Sequence, residues 1–164
     1  MSFNGNFMTT KTKFNIARGA LLFWCIFICI GAIGGAVLFW AYPHGEVWNM
    51  ADMLPYFQVL PFADVFFRDF VWCGVALLCV NGLTNLTATV LILRHNRWGL
   101  VLGTVFGVTL MLWILVQFCI FPLNAMDVIY FIFGILQTLT GLAALHWHKQ
   151  LCANQSANEE KING

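Results

Sequence analysis

An all-α fold, specifically a polytopic membrane four-helix bundle, follows from three observations. The first is composition. The 164-residue chain is 60% hydrophobic and only 9% charged, with a mean hydropathy of +0.80. A soluble domain usually devotes about a quarter of its residues to charge, and this chain lacks them. The second is continuity. The apolar residues fall into four blocks, at 17–41, 70–93, 98–121 and 127–147, each near the ~20 residues a helix needs to cross a bilayer. Barrel strands would alternate apolar and polar residues, and these blocks do not. The third is loop length. Two of the three connections, 94–97 and 122–127, are short, which makes the helices they join antiparallel neighbours.

The first block follows Lys11, Lys13 and Arg18. Its apolar core exceeds the ~7–15 residues of a signal-peptide core, so it reads as a retained span. Residues 1–16 read as a cytoplasmic tail whose first dozen residues are loose, 17–147 as the bundle, and 148–164 as a disordered cytoplasmic tail. Basic residues set the orientation. Lys11, Lys13, Arg18, Arg94, Arg97, Lys149 and Lys161 fall on the side of the termini, and only Arg68 falls on the other. Seven against one predicts that both termini are cytoplasmic. The net charge of +1 gives no reason to expect nucleic acid. The expected partners are the lipid bilayer, a membrane protein or a second copy of the chain.

The long first extracytoplasmic loop, 42–69, is the exception among the connections, and such loops are often functional. It opens on the turn residues Tyr42-Pro43-His44-Gly45 and becomes aromatic in LPFADVFFRD. Phe62 and Phe66 lie four apart, and Asp64 precedes Arg68 by four, a favourable helical order for an ion pair. A short interfacial helix is expected within 53–69, lying on the membrane or capping the bundle. Asn124 is placed to cap the fourth span.

The second span carries the stretch VNGLTNLTATV, with Asn81 and Asn85 on one expected helix face. With Thr84, Gln117 and Gln137 they form a candidate intramembrane polar cluster. Amide hydrogen bonds in a membrane contribute ~0.6–2 kcal/mol each, so these groups can hold helices together. They can equally line a cavity for a neutral, lipid-like or aromatic molecule. By depth, Asn81 is the expected partner of Gln137. Gly31 and Gly35, Gly103 and Gly107, and Gly134 with Gly141 recur at the spacing of close helix contacts, within one chain or between two.

Catalytic signatures are missing. The spans hold no Asp, Glu, Lys or Arg away from their ends, and proton-coupled transport normally uses such groups. No GxSxG, HExxH or phosphate-cradling glycine loop occurs. A membrane enzyme would have to use the outer carboxylates Asp52, Asp64 and Asp69 with His44. The six cysteines include no CxxC. Cys25 and Cys29 read as small packing residues, and a Cys73–Cys119 disulfide stays open. His146 and His148, spaced by two, point to different helix faces, so no metal or other cofactor is expected. The expected role is a non-enzymatic accessory or interaction protein. The alternative is a carrier or binder using the amide-lined cavity.

Several runs carry a resemblance: Pro61-Phe62 at the loop end, Val80-Asn-Gly82 with Asn85, Trp113-Ile114 with Gln117, and Tyr130-Phe131 with Gly134 and Gln137. In this VNGxxN, WIxxQ and YFxxGxxQ pattern, over residues 54–141, the chain resembles a group of small bacterial four-span integral membrane proteins. Relatives in that group often have Pro at the position of Cys73. The resemblance implies a bacterial cytoplasmic-membrane location and brings no activity, substrate or partner with it.

Overall fold

The computed structural model describes residues 2–46, 50–59, 62–66 and 68–163. Among them every regular element is helical. Helix α1 is Ser2–Ala41, and a 3-10 helix, Met50–Val59, and the short α2, Ala63–Phe66, follow in the first loop. The second span is composite: α3, Val71–Leu77, a π-helical turn, Leu78–Leu83, and α4, Thr84–Leu93. Helix α5 is Arg97–Ile120 and α6 is Ala125–Asn163. Four stretches are long and apolar enough to cross a membrane: Thr9–Ala41, Val71–Leu93, Arg97–Ile120 and Ala125–Asn158. The protein is thus a multi-pass membrane protein. Its bundle has a proximal end, which carries both termini, and a distal end, which carries the first loop.

The helices form a ring in which α1 packs on α6, α6 on α5, α5 on α4, and the second span back on α1. The six glycines picked out by spacing all sit at contacts inside this ring. A Cβ on Gly107 would come within 2.6 Å of the Thr138 hydroxyl, and one on Gly134 within 2.7 Å of Met111. Gly141 faces Thr104, Gly103 faces Leu21 and Cys25, Gly31 faces Tyr130, and Gly35 faces Leu77. These faces are consumed within one chain. Gly74 under Trp40 and Gly99 under Leu91 and Ile92 do the same, although spacing does not single them out.

Both tails depart from expectation. The tail segments 1–16 and 148–164 continue as helix, α1 back to Ser2 and α6 on to Asn163. A helix already nucleated extends at little cost, and the two extensions touch. Lys13 Nζ lies 4.7 Å from the centre of the Trp147 ring. The Phe14 and His148 rings are 5.6 Å apart. At 40 residues, α1 measures ~60 Å by its rise of 1.5 Å per residue, about twice the hydrocarbon thickness.

The caps follow local chemistry. Asn124 Oδ1 accepts from the Asp127 backbone N–H at 2.9 Å, and Asn124 Nδ2 donates to the Asp127 carboxylate at 2.7 Å. This is the cap expected for the fourth span. Asn96 caps α5 by accepting from Trp98 N–H. Arg18 donates to the Ile92 carbonyl at 2.7 Å. It therefore places a cation on the C-terminal carbonyls of α4, where the helix dipole favours one.

The first loop caps the bundle rather than lying apart from it. The turn at Gly45, with φ of 78°, needs glycine. Phe70 N–H donates to Pro43 O at 2.8 Å, so the two ends of the loop meet. Phe57 is buried, with its ring 4.8 Å from Phe121 and 5.9 Å from Phe70, both edge-to-face. The expected Asp64–Arg68 pair involves the Asp64 side chain, which lies outside the described residues.

Candidate functional site: a distal cavity above an amide network

The two halves of the second span behave differently. Its proximal half, α4, packs closely on α5. Its distal half, α3, packs instead on α1. The switch falls at the π turn Leu78–Leu83, within LCVNGL. A π turn adds a residue to the helical turn and is common at functional sites. Distal to it, the second and third spans separate. The 3-10 helix of the first loop covers the gap, with Phe57 bridging Phe70 and Phe121.

The gap is a cavity of about 1020 Å³. Its walls are mostly apolar and rich in rings, among them Phe39, Phe57, Phe70, Trp113 and Phe121. Asn81, Gln117 and Tyr130 bring polar groups to the wall, and Asn124 and Asp127 bring more. Among the described residues Asp127 is the only acidic or basic one in the lining, and Asn124 already holds its carboxylate.

The polar residues expected to cluster are divided by the structure. Gln137 is fully buried and bonds Asn85, not Asn81 as depth suggested. Its Nε2 donates to Asn85 Oδ1 at 2.8 Å and to the Gly103 carbonyl at 2.9 Å, and lies 3.5 Å from Cys25 Sγ. Asn85 Nδ2 in turn donates to the Asn81 backbone carbonyl at 2.9 Å. One amide therefore touches all four spans, and Gly103, lacking a side chain, exposes the carbonyl it uses. Thr84 does not join this network, because its hydroxyl bonds back to Val80 O on its own helix. Threonine commonly does this inside helices, and the two neighbours of the amides that follow the rule, Thr104 and Thr138, bond Leu100 O and Gly134 O.

Beside Thr89 Oγ1 and Gln137 Oε1, each buried without a partner, Asn81 is the extreme case. It is 1% exposed, yet neither its Nδ2 nor its Oδ1 has a hydrogen-bond partner. Leaving one buried polar group unsatisfied costs ~1–3 kcal/mol, and native proteins seldom leave a whole amide so. Asn81 is among the residues that line the cavity, at the centre of the π turn, with its amide atoms buried behind the wall. Gln117 shares that wall and makes no bond to Gln137, in keeping with their difference in depth.

The other expected candidates are placed as follows. Asp69 Oδ1 accepts from Val71 N–H at 3.0 Å and so caps α3. Asp52 and His44 are exposed, so the outer carboxylates and His44 form no common site among the described residues. Cys73 lines the cavity, Cys119 is exposed, and all six cysteines are free thiols. His146 turns to Gln150 and His148 to Cys152 and Phe14. Among the described residues no three His, Cys, Asp or Glu side chains are grouped to hold a metal ion. Two roles escaped the sequence: Arg18 as a helix cap and Phe57 as the wedge of the lid. No protein-family model, curated protein or solved structure matches the chain.

Proposed function

We propose that the protein binds or carries an uncharged small molecule with an apolar, ring-bearing or lipid-like body in the distal cavity. One observation carries the reading. Asn81 is one of the residues lining a cavity of about 1020 Å³, and its buried amide has no protein partner for either atom. A ligand group that both donates and accepts, such as a carboxamide or a hydroxyl, satisfies it once the side chain turns into the cavity. Ligand sites of this kind are mostly apolar, with a few placed polar groups that fix orientation. Among the described residues the lining holds no basic side chain, which disfavours an anion.

The role is non-enzymatic. The location in this reading is the bacterial cytoplasmic membrane with both termini in the cytoplasm, a reading supported by the excess of Lys and Arg at the proximal end.

Native mass spectrometry of the detergent-purified protein tests the reading. Wild type retains a small molecule of defined mass, and Asn81→Leu loses it while Asn85→Gln keeps it. Wild type and Asn81→Leu with the same retained species, or with none, would remove the binding role. The second reading, an accessory subunit docking a partner through the first loop, is favoured by Phe62. That residue holds a left-handed backbone (φ 61°) and leaves its ring 76% exposed. Loss of a co-purifying protein on Phe62→Ser, with no ligand in the cavity, would select it.

A further inference from the structure

The proximal rim holds a second site, far from the distal cavity and built on opposite chemistry. Arg18 from α1, His95 and Arg97 from the α4–α5 turn, and His148 from α6 line a small cavity of about 230 Å³. Among the described residues no acidic one lines it. Three separate elements thus bring cationic or cation-forming groups to one point, which does not arise from a single solvated helix face.

We propose that this cavity binds the phosphate of an anionic phospholipid. The geometry prepares it in four ways. Arg18 is pinned by its 2.7 Å bond to Ile92 O, and a guanidinium with five N–H donors has others left. His95 Nδ1 lies 3.0 Å from Leu93 O. A carbonyl can only accept, so Nδ1 carries hydrogen, and Nε2 donates to a phosphate oxygen when the ring is doubly protonated. Helix α5 begins at Arg97 behind the Asn96 cap, so the positive end of a 24-residue helix lies at the cavity. Arginine forks match phosphate oxygens in pairs.

The choice of lipid follows from charge and place. The cavity lies where α4 ends and α5 begins, beside α1 and α6, and Phe14 gives it an apolar wall. A zwitterionic headgroup would add its own cation beside two arginines, with no lining carboxylate to receive it. A headgroup whose only charge is phosphate avoids that repulsion.

The test uses the full-length protein in neutral detergent. Native mass spectrometry measures retention of dioleoyl phosphatidylglycerol and dioleoyl phosphatidylcholine at equal concentration. The proposal requires tighter retention of the anionic lipid by wild type. Arg97→Gln, an exposed position, should weaken it about fivefold, the worth of one basic residue near an anionic surface. His95→Gln should weaken it in the same direction, and neither variant should change phosphatidylcholine. Equal retention of the two lipids by wild type would overturn the proposal, and this comparison needs no variant. An unchanged preference in both variants would also overturn it. Displacement of the lipid by millimolar inorganic phosphate would overturn the lipid assignment in favour of a free anion. Loss of the distal ligand in Asn81→Leu bears on none of these outcomes.

Discussion

Replacing Gln137 by leucine removes a side chain that touches all four spans. Two good hydrogen bonds go with it, to Asn85 Oδ1 at 2.8 Å and to Gly103 O at 2.9 Å. Their consequences differ. The Gly103 carbonyl still has its place in the helix ladder, whereas Asn85 Oδ1 is left buried and unpartnered. Bonds between spans contribute ~0.6–2 kcal/mol each, and orphaning Asn85 Oδ1 costs ~1–3 kcal/mol. Against this, Gln137 Oε1 is itself buried without a partner, and its removal returns part of the loss. The expected net destabilisation is ~2–3 kcal/mol. Adding Asn85→Leu removes the orphan, so the double variant should be less destabilised than the sum of the two singles by ~0.5–3 kcal/mol. Reversible unfolding in mixed micelles, read by tryptophan fluorescence or circular dichroism, supplies all four corners of the cycle. Strict additivity, or a Gln137→Leu cost below ~0.5 kcal/mol, would refute the amide network as the tie between spans.

Further outcomes follow from the same structure. Gly107→Ala should destabilise by ~1–3 kcal/mol through overpacking against Thr138. Gly19→Ala, where nothing lies within 4 Å of a built Cβ, should be neutral or stabilising by up to ~1 kcal/mol; equal effects on melting temperature would contradict the packing account. Asn124→Ala should cost ~1 kcal/mol and speed hydrogen exchange in the first turn of α6 while leaving α5 unchanged. Phe57→Ala should open the lid and quicken ligand exchange from the cavity, seen as faster quenching of Trp113 by a soluble quencher; an unchanged quenching rate would separate the loop from the cavity.

The spans were legible because hydropathy is a local property. Their distal and loop-facing ends agree with the apolar blocks to within two residues. The proximal extensions were not legible, because they depend on Phe14 and Lys13 meeting His148 and Trp147 across the bundle, which composition does not report. The polar cluster was visible as a set and misread as a unit. Counting depth along regular helices paired Asn81 with Gln137. The π turn between Leu78 and Leu83 breaks the regular count, so Asn81 lines the cavity while Asn85, four residues on, meets Gln137. No propensity marks that turn in the sequence. The cavity has the same origin: it exists because α3 leaves α5 for α1, a choice made by tertiary packing at Gly35, Gly74 and Trp40.

The central claim is that two buried asparagines on neighbouring turns do opposite work: Asn85 ties the spans together, and Asn81 waits for a ligand at a cost in stability. The most direct test is the melting temperature, in ligand-free detergent, of Asn81→Leu beside Asn85→Leu. Asn81→Leu removes an unpartnered amide from behind an apolar wall, so it should melt at or above wild type. Asn85→Leu leaves Gln137 without its partner, so it should melt below wild type. Asn81→Leu melting as far below wild type as Asn85→Leu would make both amides structural and contradict the claim.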